Sequence, residues 1–132
     1  MGENSRLLTP VAKKILLIDD EELLSWCISH ELTNLGYEVR SAHDLNMGIK
    51  EFEVFKPHLI VCDQNLPDGR SLAMLNELKR RHPAYAAIII TAYTPPSKAE
   101  MIKIEAKICL SKPFPLKELT DIIDAHFVSK TS

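Results

Sequence analysis

The fold is indicated first by the stretch KKILLIDD at residues 13–20, in which an apolar run ends on two aspartates. The stretch HLIVCD at residues 58–63 has the same layout, and AAIIIT at residues 86–91 ends on a threonine. Two further segments, YEVRSA at residues 37–42 and KICLSK at residues 107–112, also have strand patterns. Continuous apolar runs of this length are typical of strands in a sheet that is covered on both faces.

Apolar spacing predicts a helix after each of these strands. Apolar side chains recur at every third or fourth position in five segments, near residues 24–35, 45–52, 72–78, 97–105 and 116–127, of which the fourth is only weakly patterned. Gly36, Pro57 and Pro83 are expected to end the first three helices. Alternating strands and helices require right-handed crossovers, so the prediction is an α/β domain with a doubly wound, five-stranded parallel sheet.

Composition and charge are those of one soluble domain. The chain has 132 residues, of which 45% are apolar and 26% charged, and its net charge is −2. This charge gives no strong attraction to nucleic acid or to a membrane surface, and no apolar run approaches the roughly 20 residues of a membrane span. Without a secretion signal or a CxxC pair, the protein is expected to be cytoplasmic. We expect a flexible lead-in at residues 1–12, the domain at residues 13–128, and a tail or linker at residues 129–132.

Polar side chains stand at the ends of four predicted strands. They are Asp19, Asp20, Asp63, Thr91 and Lys112. Taken singly, each has a structural explanation, since Asp19 or Asp20 could cap a helix and Lys112 could face solvent. In a parallel sheet, however, they converge on the edge where ligands bind, and this convergence favours a functional site.

Three carboxylates at one edge would repel one another and raise each other's pKa. A hard cation relieves this repulsion, and oxygen ligands without histidine or thiolate favour Mg²⁺, for which Mn²⁺ could substitute. Lys112 and Thr91 can contact phosphoryl oxygens, so that Asp63 has what a carboxylate nucleophile needs. The sequence therefore predicts a magnesium-dependent phosphate acceptor at Asp63.

At these residues the chain resembles the receiver (CheY-like) domain of bacterial two-component response regulators, over about residues 13–128. The motifs that carry the resemblance are ILLIDDE at residues 15–21, VCDQNLP at 61–67, IITA at 89–92 and SKPF at 111–114. The resemblance implies the flavodoxin-like strand order 2-1-3-4-5. It also implies a signalling domain that catalyses only its own phosphorylation and dephosphorylation, and is not an enzyme.

The resemblance also assigns roles to single residues. Asp63 would accept phosphate from a cognate histidine kinase, a phosphotransfer protein or a small phosphodonor. The metal would be held by Asp19, Asp20, Asp63 and the backbone carbonyl of Asn65. Thr91 would move toward the phosphoryl group, Lys112 would pair with it, and Pro113 would follow a cis peptide bond. Asn65 and Tyr93 would tune access of the hydrolytic water.

The chain departs from the family pattern in three places. Arg70-Ser71 stand where an Asp-Gly pair is common, and Glu105-Ala106 stand where a Gly-Ala pair is common. Cys109 occupies the position of the aromatic residue that normally swings inward with the threonine, so Thr91 and Cys109 are the switch positions of interest. We hypothesise that Tyr93 or a shifted 94–105 segment replaces that ring.

The resemblance implies a kinase or phosphotransfer partner, an effector domain in the full-length chain, and a homodimer through the 97–128 face. Direct binding to nucleic acid or to a membrane is not expected. Two alternatives stay open. A phosphatase similar to the haloacid dehalogenases would place its nucleophile on the first strand, and a pseudo-receiver would bind partners without phosphorylation.

Overall fold

The structure is a computed structural model that describes residues 11–82 and 84–131, with side chains described up to residue 128. Its strands are β1 (Lys14–Ile18), β2 (Glu38–Ala42), β3 (Leu59–Asp63), β4 (Asn65–Leu66), β5 (Gly69–Arg70), β6 (Ala86–Thr91) and β7 (Ala106–Ser111). Its helices are α1 (Glu22–Asn34), α2 (Leu45–Phe55), α3 (Ser71–Arg81), α4 (Lys98–Lys103) and α5 (Leu116–Thr131). The expected lead-in falls mostly on residues 1–10, which lie outside the described residues.

Five strands form a parallel sheet in the order β2-β1-β3-β6-β7. Counted over the five main strands this is the order 2-1-3-4-5, so the predicted fold is confirmed. The two faces of the sheet bury separate apolar clusters. Leu16 and Ile18 of β1 face α2 and α3, whereas Ile15 and Leu17 face α1 and α5. Helices cover both faces, which explains why the three inner strands β1, β3 and β6 are almost entirely apolar.

The predicted helix ends agree with the structure to within about two residues. Gly36 follows α1 with a φ of 99°, a left-handed conformation that glycine adopts without strain. Helix α4 has six residues and none of them is buried, although Ser97 and Glu100 form a capping box at its start. Its weak apolar pattern in the sequence therefore reflects a helix that lies on the surface. Among the described residues, no helix has the length and apolar character of a membrane span.

One element was not expected from the sequence. Strands β4 and β5 form a two-stranded antiparallel hairpin directly after β3, with Asn65 opposite Arg70 and Leu66 opposite Gly69. The turn residues Pro67 and Asp68 signalled a chain reversal, but strands of two residues are too short to show an apolar pattern.

Candidate functional site

The register of the sheet brings the predicted site residues to one edge. Ile18 lies beside Cys62 in the sheet, Asp63 beside Ile90, and Thr91 beside Ser111. The residues at or just after these strand ends therefore meet at the carboxyl edge of the sheet, as the sequence predicted.

Three carboxylates form a cluster there. Asp19, Asp20 and Asp63 each offer an oxygen, and these atoms lie within 4.8 Å of one another. Asp19 is fully buried and Asp63 is 7% exposed, whereas Asp20 is exposed. Two of the three carboxylates are thus buried in the protein, and the third is open to solvent.

Lys112 supplies the positive charge of this cluster. Its Nζ donates to Asp63 Oδ2 at 2.7 Å and to Glu21 Oε1 at 2.5 Å, and it lies 3.3 Å from Asp19 Oδ2. Burial alone would lower the pKa of Lys112, but the hydrogen bonds to Asp63 and Glu21 raise it above its ordinary value. The peptide bond to Pro113 is cis, as expected. Lys112 is therefore held in its charged form against the carboxylates.

One lysine does not satisfy all the carboxylate oxygens. Asp19 Oδ1 accepts a hydrogen bond from the backbone N–H of Glu21 at 2.9 Å, but Asp19 Oδ2 is buried without a hydrogen-bond partner. Burial is the main reason that the pKa of Asp19 is raised. An unsatisfied buried carboxylate oxygen beside two further carboxylates is the donor set that suits a hard divalent cation. The residues present therefore fit Mg²⁺.

The helix-capping explanation of the aspartates does not hold. Glu21, and neither Asp19 nor Asp20, occupies the N-cap position of α1, and no side chain there caps the helix. The bond from Glu21 N–H to Asp19 fixes the loop between β1 and α1 and orients the Asp19 carboxylate.

Thr91 is buried at the end of β6, next to β3. Its Oγ1 accepts a hydrogen bond from the backbone N–H of Tyr93 at 3.0 Å. It also accepts one from the side-chain amide of Gln64 at 2.8 Å, when the amide is oriented so that all its neighbours are satisfied. The hydroxyl that was predicted to contact phosphate is thus engaged by two groups of the protein.

The expected tuning and switch residues lie around this core. The backbone N–H of Asn65 donates to Asp63 Oδ1 at 3.2 Å, and the side chain of Asn65 is half-buried. The Tyr93 side chain is 73% exposed. Cys109 is half-buried on β7 and packs against the cluster that contains Ile89 and Ile104.

Two residues that contact the predicted site residues were not singled out from the sequence. Glu21 forms a second ion pair with Lys112. The signal in the sequence that could have identified Glu21 was its position directly after Asp19-Asp20. Gln64 is 2% exposed and contacts Thr91. A glutamine next to a strand-end aspartate carries no pattern that distinguishes it from an exposed loop residue.

The geometry agrees with the comparison to known proteins. A family model described as the response regulator receiver domain matches residues 15–124. The chain belongs to this family. It is therefore a phosphoacceptor signalling domain of the two-component type, which argues against the phosphatase alternative.

Its curated relatives include transcriptional regulators. PhoP of Bacillus subtilis, an alkaline phosphatase synthesis transcriptional regulatory protein, is 30% identical over 114 residues, which are 86% of this chain and 48% of PhoP. KdpE of Escherichia coli, the KDP operon transcriptional regulatory protein, is 32% identical over 106 residues, which are 80% of this chain and 47% of KdpE. The chain thus spans about half the length of these two relatives.

Solved structures show the same fold. A response regulator receiver domain protein (CheY-like) from Methanospirillum hungatei superposes with a TM-score of 0.84 at 23% identity, covering 92% of this chain and 98% of that chain. The response regulator protein TrrA from Thermotoga maritima, solved in complex with Mg²⁺–BeF, has a TM-score of 0.75 at 25% identity, covering 86% of this receiver and 97% of that chain.

Proposed function

We propose that Asp63 is the residue that accepts the phosphoryl group, in a magnesium-dependent reaction. The observation that carries this proposal is the pairing of Asp63 Oδ2 with Lys112 Nζ at 2.7 Å, beside a buried Asp19 oxygen that has no hydrogen bond and lies 3.3 Å from the same Lys112 Nζ. Asp63 is 7% exposed, which leaves its carboxylate within reach of a donor while the strand holds it in place.

The metal would be held by Asp19, Asp20 and Asp63, together with the backbone carbonyl of Asn65. When bound, Mg²⁺ neutralises the charge that builds up on the phosphoryl oxygens. Mn²⁺ takes the same oxygen ligands and is expected to substitute for it.

Phosphoryl transfer then follows from the positions of the side chains. A carboxylate oxygen of Asp63 attacks the phosphorus atom, a new P–O bond forms, and the bond from phosphorus to the donor breaks with its electron pair staying on the donor. Lys112 exchanges its bond to Asp63 for one to a phosphoryl oxygen, and Thr91 turns its hydroxyl toward another. The domain itself therefore provides the catalytic groups for the transfer.

Loss of the phosphate uses the same groups. A water molecule attacks phosphorus on the side opposite Asp63, and the bond between phosphorus and the Asp63 oxygen breaks to restore the carboxylate. Asn65 and Tyr93 are proposed to control this water because both lie within two residues of Asp63 or Thr91 in the sequence. The exposed ring of Tyr93 can screen the site only by turning inward.

The proposed donor is a cognate histidine kinase, a phosphotransfer protein or a small phosphodonor. A protein donor is supported by two exposed apolar residues, Leu23 and Trp26, in the first turns of α1 directly after the acidic pair. It is also supported by an open groove of about 440 Å³ beside Lys112, whose lining includes Leu24 and Phe114.

We further propose that the complete protein carries an effector domain and acts in the cytoplasm. The effector domain is supported by the half-length match to PhoP and KdpE, which are transcriptional regulatory proteins. A homodimer through the 97–128 face is supported by Ile102 and Ile108, which are exposed on α4 and β7.

The proposal is tested by incubating the domain with acetyl phosphate and Mg²⁺ and measuring its intact mass. We expect one added phosphoryl group on the wild type and none on Asp63→Asn. Asp121→Asn, which changes an exposed aspartate of α5, is the matched control and should be modified like the wild type. If wild type and Asp63→Asn both stay unmodified, the pseudo-receiver is correct, and repeated turnover of phosphoesters would instead indicate a phosphatase.

A further inference from the structure

Gln64 is a buried amide in direct contact with Thr91. It is 2% exposed, its backbone N–H donates to Ile90 at 2.8 Å, and its carbonyl accepts from the N–H of Ser71 at 2.9 Å. The backbone N–H and the backbone carbonyl of Gln64 are thus both held by neighbouring elements. Its side chain has little freedom to move unless its own hydrogen bonds change.

The side-chain amide of Gln64 connects three parts of the protein. In the amide orientation that satisfies its neighbours, its nitrogen donates to Thr91 Oγ1 at 2.8 Å and to the backbone carbonyl of Thr94 at 3.0 Å, and its oxygen accepts from Arg70 at 3.0 Å. All the usual hydrogen-bonding capacity of one amide is therefore used except one lone pair of its oxygen. If the Thr91 hydroxyl moves away, the hydrogen bonds of Gln64 to Thr94 and Arg70 should change as well. The reason is that a buried amide cannot leave its donors unpaired without cost.

Arg70 extends this connection to α4. The pKa of Glu100 is lowered, chiefly by the hydrogen bond from the Ser97 N–H and also by the positive charge of Arg70. Glu100 is the acidic member of the capping box that starts α4. Thr94, on the other side, lies in the loop that leads into the same helix. The amide of Gln64 thus reaches the loop before α4 through the Thr94 carbonyl, and it also holds Arg70, whose positive charge acts on Glu100.

Cys109 does not offer an equivalent connection. It lies beside Ile89 in the sheet and packs among apolar residues. A thiol is too small to follow Thr91 into the site as a ring would, and it is a weak hydrogen-bond donor. The Thr91 hydroxyl instead contacts the side chain of Gln64, beside the backbone N–H of Tyr93.

We propose that Gln64 couples Thr91 to α4, through its hydrogen bonds to Thr94 and Arg70. This inference rests on the proposed function, because it takes phosphorylation of Asp63 as the event that draws Thr91 away. When the Thr91 hydroxyl turns to the phosphoryl group, the amide nitrogen of Gln64 loses an acceptor and the side chain reorients. The Thr94 carbonyl and Arg70 then change partners, and the first turn of α4 shifts. Gln64 and Arg70 are positioning residues, since neither contacts the reacting atoms.

The test uses the amide NMR spectrum of the domain before and after addition of Mg²⁺ and beryllofluoride. In the wild type we expect shifts around residue 63 and also in residues 97–103. Gln64→Met keeps the length of the side chain without its hydrogen bonds, and Arg70→Gln removes the positive charge at the other end of the Gln64 contact. Both variants should keep the shifts around residue 63, while those in residues 97–103 become smaller by about twofold or more.

Arg80→Gln is the matched control for Arg70→Gln, because Arg80 pairs with Glu77 on the exposed side of α3. It should respond like the wild type in both regions. Arg70 is exposed, so its variant remains informative if Gln64→Met does not fold.

The outcomes separate the two proposals. If Gln64→Met and Arg70→Gln both show shifts of wild-type size in residues 97–103, the coupling through Gln64 is wrong. Asp63 would still be the acceptor. No shift around residue 63 in the wild type would instead contradict the proposed function, and the coupling with it. Loss of both sets of shifts in a folded Arg70→Gln would place Arg70 in the binding site and also overturn the proposal.

Discussion

Asp19 is fully buried, and one of its carboxylate oxygens has no hydrogen-bond partner. Lys112 lies 3.3 Å from that oxygen, but it also serves Asp63 and Glu21. A buried charge with an incomplete set of partners destabilises the folded state, and it is retained where a ligand completes the set. At the scale of single residues, the metal-binding function of this site therefore reduces stability.

This conflict predicts the effect of Asp19→Asn. In EDTA the variant should have a free energy of unfolding about 1 kcal/mol higher than the wild type, because a neutral amide costs less to bury than a carboxylate with one oxygen that accepts no hydrogen bond. Addition of Mg²⁺ should stabilise the wild type and leave the variant unchanged. Urea unfolding followed by circular dichroism, with EDTA and with Mg²⁺, measures both effects.

Asp20→Asn is the control, because Asp20 belongs to the same cluster but is exposed. It should also lose the response to Mg²⁺, but its stability in EDTA should change by less than about 0.5 kcal/mol. If Asp19→Asn were less stable than the wild type in EDTA, the attraction of Lys112 would outweigh the cost of burial.

At the scale of elements, the close packing of α2 on β1 positions the acidic pair. Gly48 lies inside α2, and a Cβ atom added there would be 2.7 Å from Cδ1 of Ile18, the residue that precedes Asp19. Glycine weakens a helix, so its presence here reflects the short distance between α2 and β1.

Gly48→Ala should therefore lower the free energy of unfolding by about 1 kcal/mol, because the overlap with Ile18 outweighs the gain of about 1 kcal/mol in helix propensity. The matched background is Ile18→Val, which removes the overlapping Cδ1 atom and costs about 1 kcal/mol by itself. In that background Gly48→Ala should be neutral or stabilising. A double-mutant cycle by urea unfolding measures the coupling, and additive effects would contradict the proposed overlap.

At the scale of the whole molecule, Asp68 ties the β4–β5 hairpin to the start of α2. Its carboxylate accepts hydrogen bonds from the backbone N–H groups of Leu45 at 2.8 Å and Asn46 at 3.1 Å, in the first turn of α2. These bonds lower the pKa of Asp68 below its ordinary value of 3.8, and the bond from Leu45 contributes most. The contact joins segments that are more than twenty residues apart in the chain.

Because the pKa of Asp68 is lower in the folded chain than in the unfolded chain, the unfolded chain binds more protons between the two values. The stabilisation is therefore complete above pH 3.8 and is lost as the pH falls through the lower, folded value. Asp68→Asn should be less stable than the wild type at neutral pH, and the difference should shrink in acid. Urea unfolding across this range measures the difference.

Glu38→Gln is the control for this prediction, since Glu38 is an exposed carboxylate at the start of β2. Its free energy of unfolding should differ from that of the wild type by less than about 0.5 kcal/mol, as is usual for an exposed surface residue. A constant difference between Asp68→Asn and the wild type would show that the contact does not depend on the charge of Asp68.

The sequence by itself determined the succession of the main strands and helices along the chain and the residues at the strand ends. Strands covered on both faces must be apolar throughout, so residues 15–18, 59–62 and 86–90 could be identified without any long-range information. Because parallel strands share one carboxyl edge, the convergence of Asp19, Asp63 and Lys112 followed from the same pattern.

Only the tertiary structure decided which contacts these residues make. The lack of a hydrogen bond at Asp19 Oδ2 depends on how Lys112 divides its charge among three carboxylates, and this depends on distances that no sequence pattern encodes. The contact of Gln64 with Thr91 depends on the pairing of β3 with β6, whose sequences are separated by α3. Local patterns reflect burial and backbone conformation, whereas hydrogen bonds between distant residues appear only when the chain has folded.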